Sequence, residues 1–212
     1  MGAKGQFKGE MTREAAEERL TRLAGRIGIK PSAIKVRRAP GQGMRLTFDV
    51  KGNPVHRQCT SQGTIEGNLA CLVLWLNDLV VNVERSIDTF SDAFYSDGLK
   101  MISSADMGIK VKLYKGNKAI EDSLVTIERS LKRLGISRDQ AKVKWGDEGK
   151  EASIQFRLPM GQIVRKVSVV QVDTRCNMAA LALWLQARAK NVERGIETDL
   201  KIVFAAQLEV RA

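Results

Sequence analysis

Asn68–Thr89 reads NLACLVLWLNDLVVNVERSIDT, and Asn177–Thr198 reads NMAALALWLQARAKNVERGIET. At a constant offset of 109 residues the two share Asn, Ala, Leu, Leu-Trp-Leu, Asn-Val-Glu-Arg, Ile and Thr. The first copy places Leu69, Leu72, Val73, Leu76, Leu79, Val80 and Val83 on one broad stripe, which Leu74 and Trp75 extend around the cylinder. A helix apolar nearly all round is buried. Each long helix is therefore expected between its own sheet and a second surface, most simply the other copy.

The repeat extends upstream. Arg26-Ile27-Gly28-Ile29 matches Arg133-Leu134-Gly135-Ile136, and Lys35-Val36 matches Lys142-Val143, both at an offset of 107. Leu46–Val50 matches Ile154–Leu158 at 108, and Val55 matches Val164 at 109. Loops absorb this drift. Two copies of a unit near 108 residues describe a tandem domain duplication, because solenoids use shorter repeats. The boundaries fall at residues 1–100 and 101–212.

Each unit opens with an amphipathic helix: Ala16, Leu20, Leu23 and Ile27 in the first, Leu124, Ile127, Leu131 and Leu134 in the second. Thr12 and Ser123 fit N-caps, and Gly28 and Gly135 fit C-terminal stops. Three strands follow, at 33–38, 44–51 and 55–60 in the first unit and at 140–145, 153–158 and 163–172 in the second. The second strand of each alternates apolar and polar residues, as a half-buried strand does. The fold class is α+β: two α-β-β-β-α units with antiparallel meander sheets, long buried apolar helices and a pseudo-two-fold arrangement. In the connecting segment, Phe90, Phe94 and Leu99 suggest a short helix and Ile109–Tyr114 an extra strand, with GQFKGE (residues 5–10) its only counterpart; the C-terminal KIVFAAQLEVRA also reads as a strand.

The chain carries 35 Lys and Arg against 24 Asp and Glu, a net charge of +11. The excess is spread: 15 basic and 11 acidic groups before residue 101, 20 and 13 after it. A basic folded protein attracts polyanions. Lys35, Arg37, Arg45 and Arg57 are expected on one sheet face, with Lys142, Lys144, Arg157 and Lys166 on the other. Arg85 and Arg194 of the repeated Asn-Val-Glu-Arg either touch phosphate or complement the helix dipole and hold neighbouring loops. The alternative for the strand cations is a solvated charged face. Trp75 and Trp184, flanked by leucines, read as core or interface residues; stacking on bases would require them at the surface.

No phosphate-loop, dinucleotide-binding, metalloprotease or nucleophile-elbow motif occurs, and no acidic pair recurs in both units. His56 is the one histidine, and Arg165 stands at its repeated position. No enzyme activity, cofactor or metal is expected. Cys59, Cys71 and Cys176 lack CxxC spacing, and Cys71 fits a small buried hydrophobe, which points to a reducing, cytoplasmic setting. No signal-type apolar core or transmembrane helix is expected.

The order TREAAEERLTRLAG, MRLTFDVKGNPVHRQC, EGNLACLVLWLNDLVVNVERSI and AFYSDGL resembles an uncharacterised module of prophage- and plasmid-borne proteins that often precedes a J-domain-like tail. Asn68-Leu69-Ala70 with Glu84-Arg85, and Asn177 with Glu193-Arg194, match its long helix. The module's Trp before an Asp-Asn pair is missing, and no His-Pro-Asp occurs, so no J-domain function is implied. The resemblance implies a mobile-element or viral setting and assigns no activity. Two functions remain: a non-catalytic binder of nucleic acid, single-stranded DNA or RNA preferred, or a structural protein that assembles with a protein partner or its own copies through the duplicated helices.

Overall fold

The computed structural model describes residues 11–88, 107, 109–114, 116–146, 150–197 and 200–204. Helix α1 (Arg13–Arg26) leads to strands β1 (Lys35–Arg38), β2 (Met44–Val50) and β3 (Asn53–Cys59), then to helix α2 (Ile65–Glu84). The second half repeats this order with α3 (Ile120–Arg133), β4 (Ala141–Trp145), β5 (Ala152–Arg157), β6 (Ile163–Ser168) and α4 (Thr174–Glu193), followed by a single turn, α5 (Leu200–Val203). The strands form two separate antiparallel sheets, β1-β2-β3 and β4-β5-β6.

Alternation decides which side of each sheet is covered. Leu46, Phe48 and Val50 of β2 point inward, as do Ile154 and Phe156 of β5. α2 lies against α1, β2, β3 and α4; α4 lies against α3, β5, β6 and α2. The two long helices thus bury their second sides on each other. Trp75 and Trp184 are fully buried, and burial of an apolar side chain of Val to Met size contributes about 1.5–3 kcal/mol. Among the described residues α2 is the one helix with the length and hydropathy to cross a membrane, and 67% of that window is buried within the fold.

The repeated polar residues explain how the chain enters and leaves these helices. Thr64 and Asp173 cap α2 and α4. One turn in, the Asn68 side chain accepts from Gln62 N (3.1 Å) and donates to Gln62 O and to Gln42 O in the β1–β2 turn. Asn177 likewise accepts from Gln171 N and donates to Lys150 O. A buried backbone group left unpaired costs about 1–3 kcal/mol, which is why a buried amide side chain occupies these positions. At the far end Asn82 O accepts from Ile87 N and Asp88 N, and Asn191 O from Ile196 N and Glu197 N. Ser86 and Gly195 turn the chain there with φ of 54° and 68°.

Several expectations are corrected. Thr12 does cap α1, but α3 begins after Ala119; Ser123 lies inside it and donates to Ala119 O. Residues 109–114 form no strand: Lys112 N donates to Glu84 O and Tyr114 N to the Gln171 side chain, so these amides serve a helix end and a loop rather than a ladder. At the C-terminus, 200–203 is a helical turn that buries Val203 and Phe204. β6 ends at Ser168, short of residue 172. The helix expected around Phe90, Phe94 and Leu99 and the strand expected at residues 5–10 lie outside the described residues, as does the chain beyond residue 204.

Candidate nucleic-acid interface

Strand register assigns each cation to a face. In the first sheet Lys35 stands beside Thr47 and His56, and Arg37 beside Arg45 and Gln58. All but the half-buried Thr47 are exposed, so these residues form the outer face, which Asp49 shares. In the second sheet Lys142, Gln155 and Arg165 make one row and Lys144, Ser153 and Val167 the next, with Arg157 beyond. Lys142, Lys144, Arg157 and Arg165 are exposed, and none of these three strands carries a carboxylate. Arg165 joins this face beyond the expected residues; its place directly after the inward-facing Val164 is the signal the sequence offers.

Arg57 and Lys166 belong to the opposite face. Arg57 is opposite Leu46 and Lys166 opposite Ile154, both core positions, so the period of two turns these cations inward. The Arg57 guanidinium lies 5.4 Å from the Trp75 ring centroid, and Lys166 Nζ 5.8 Å from that of Trp184. Each meets a carboxylate delivered from the other unit by the turn after the long helix. Asp88 accepts from Lys166 (3.2 Å) and Arg188 (3.0 Å), and its side chain is fully enclosed. Glu197 accepts from Trp75 Nε1 at 2.9 Å and lies in the field of Arg188 and Arg57. Burial pushes the Glu197 carboxyl above its ordinary value, with the two arginines opposing. Burial likewise pushes Arg57 below the usual arginine range. These five side chains fasten the units together and are closed to a polyanion.

Arg85 and Arg194 also stand apart from the sheet faces. Arg194 bridges to Asp78 of α2 at 2.9 Å and to Asn191. Arg85 lies over the Tyr114 ring at 5.8 Å, half-buried, and burial lowers its pKa. Their backbone carbonyls are used as well: Gln171 Nε2 donates to Arg85 O at 3.0 Å, and Gln62 Nε2 approaches Arg194 O at 3.5 Å. The neighbouring Glu84 binds Arg26 through both carboxylate oxygens and Lys112 through one. Burial works against this carboxylate, but the hydrogen bonds from Arg26 and Lys112 outweigh it and hold its pKa below the usual glutamate value.

Among the described residues no cluster of three or more His, Cys, Asp and Glu is placed to hold a metal ion. His56 Nδ1 pairs with the Thr47 hydroxyl at 3.3 Å on an exposed strand. The three cysteines are free and buried, and the Cys59 thiol together with burial pushes Cys71 upward. Comparison with protein-family models, curated proteins and solved structures returned no match.

Proposed function

We propose that the protein binds nucleic acid without catalysis, single-stranded DNA or RNA over duplex, through phosphate contacts on the outer faces of its two sheets. The observation that carries this reading is the second sheet: Lys142, Lys144, Arg157 and Arg165 project from one side, with no hydrogen bond or ion pair to hold them among the described residues and no carboxylate in the three strands. Such a face attracts a polyanion by releasing its counterions. Lys35, Arg37 and Arg45 are the corresponding contacts of the first unit.

The reading includes a tandem duplication with a pseudo-two-fold arrangement. Its support is reciprocal contact: Gln62 toward Arg194 O and Gln171 to Arg85 O, Asp88 into the second unit and Glu197 into the first. Two linked weak faces raise each other's effective concentration, which gives the duplication a functional benefit. A mobile-element or viral setting and a cytoplasmic location belong to the same proposal.

The competing reading is assembly with a protein partner. The duplicated helices are occupied by each other, so a partner would use the end of the second sheet, where Trp145, Val169, Val170 and Val172 are exposed. Fluorescence anisotropy with single-stranded DNA, duplex DNA and single-stranded RNA at two salt concentrations separates the two. Nucleic-acid binding predicts preference for a single strand with a log–log salt slope of about −3 or steeper. Equal, weak binding that vanishes at physiological salt would leave the partner reading standing.

A further inference from the structure

The outer face of the second sheet has relief as well as charge. Its middle strand, β5, contributes the short Ser153 and the neutral Gln155, whereas the flanking strands contribute the cations. Lys142, Lys144 and Arg165 surround a depression of ≈ 150 Å³ whose floor includes Ser153 and Gln155. Neighbouring strands lie about 4.8 Å apart, so the cations of β4 and β6 straddle the β5 hydroxyl and amide at a backbone separation of about 10 Å. A second depression of ≈ 250 Å³ shares Lys142 and Gln155 and is bounded by Arg157, Phe156, Ile163 and Asp139.

We propose that the first depression is a subsite for one backbone phosphate of a single-stranded nucleic acid, and that the second takes the next phosphate along the strand. Lys142, Lys144 and Arg165 supply charge, and Ser153 Oγ and Gln155 Nε2 supply neutral donors that fix the oxygens. Alternate residues of a strand are about 6.7 Å apart, which matches the step between successive phosphates of an extended chain. Asp139 on the wall of the second depression repels a phosphate there, so the first subsite binds more tightly. This inference rests on the nucleic-acid reading and adds its principal contact.

The first sheet shows what closes such a site. At the position of Ser153 it carries Arg45, whose guanidinium donates across the row to Gln58 at 3.0 Å. At the positions of Gln155 and Arg165 it carries Thr47 and His56, which bond each other. The equivalent rows are bridged by these side chains, and the cation of the third strand is replaced by an imidazole.

The test exchanges these residues between units in the full chain. Ser153→Arg with Arg165→His copies the first face onto the second; Arg45→Ser with His56→Arg does the reverse. With histidine neutral, each pair leaves the net charge at +11, so general attraction is held constant. Anisotropy with a labelled homothymidine strand at low salt is expected to show about fivefold or greater weakening for the first pair and tightening for the second. Circular dichroism melts confirm that both variants fold, since every substituted position is exposed or half-buried on an outer face. If the native chain binds with a steep salt slope but the first pair weakens binding less than this, or the second fails to tighten it, the subsite is overturned and the wider reading survives. If the native chain shows no salt-dependent binding, the wider reading falls and the subsite with it.

Discussion

The two units place the same residue types at matching positions, yet they use them unequally at their shared boundary. The carboxylate after α2 is Asp88, taken up by Lys166 and Arg188. The carboxylate after α4 is Glu197, one methylene longer, which reaches the Trp75 indole. The equivalent Trp184 Nε1 has no hydrogen-bond partner among the described residues. Arg188 accounts for the difference: it replaces Leu79 of the first unit, and the shorter carboxylate turns to this cation instead of the ring. Two units can therefore share an element order while one additional buried charge redistributes the polar contacts between them.

Substitution at the paired carboxylates tests this contrast most severely. Asp88→Asn should destabilise by about 3–5 kcal/mol in urea titration, because Arg188 and Lys166 lose the enclosed carboxylate that binds both. Glu197→Gln should cost about 1 kcal/mol or less, since burial already favours the neutral carboxyl and an amide oxygen still accepts from Trp75. Equal losses would mean that the two carboxylates are equivalent after all.

The carboxylates of the Asn-Val-Glu-Arg segments sharpen the comparison further. Glu84 is enclosed and bound by Arg26 and Lys112, whereas Glu193 meets Arg133 at 3.4 Å in the open. Glu84→Gln should cost about 2 kcal/mol and Glu193→Gln less than about 0.5 kcal/mol. The pH dependence has opposite signs at Glu84 and Glu197. Glu84 is depressed in the folded state, so its contribution is complete above the ordinary value of 4.5 and is lost as pH falls through its lower folded value. Glu197 is raised, so its contribution is complete below 4.5 and is lost as pH rises through its higher folded value. Urea midpoints of the two Gln variants against pH should diverge from the native chain in these opposite senses.

A last contrast lies in the turns that deliver Asp88 and Glu197. Gly195→Ala would bring a Cβ within 2.6 Å of the Ser61 Cβ, in a backbone region that disfavours side chains, and should cost about 2 kcal/mol. Its counterpart Ser86 already carries a side chain at φ 54°, so Ser86→Gly should gain about 0.5 kcal/mol as strain is relieved against added chain entropy. Thermal melts that failed to separate the two would show that the units do not crowd each other at this turn.

Much of this frame was legible because it rests on local periodicity. The helical stripe through Leu69, Leu72 and Leu76 and the alternation of Leu46, Phe48 and Val50 each state which side is buried without reference to anything distant. Lys35, Arg37, Arg45, Lys142, Lys144 and Arg157 share outer faces for the same reason. Charge alone suggests the outer face for Arg57 and Lys166, but strand parity does not: Val55 and Val164 mark the inward phase, and Arg57 and Lys166 each follow two residues later. Ile109–Tyr114 alternates as a strand should, but alternation supplies no partner, and the neighbouring helix end and Gln171 claimed its amides.

The sequence by itself determined the doubled element order, the sheet registers' inward and outward phases, and the burial of α2 and α4, since each follows from spacing within a short window. Only the tertiary structure decided that Asp88 and Glu197 cross between units, that Arg188, Lys166 and Arg57 are held inside rather than offered to a ligand, and that a depression opens over Ser153 whereas Arg45 of the first sheet reaches across to Gln58. Those outcomes depend on pairs separated by 78 to 122 residues, or on side-chain length within a packed row, and neither leaves a periodic trace in the chain.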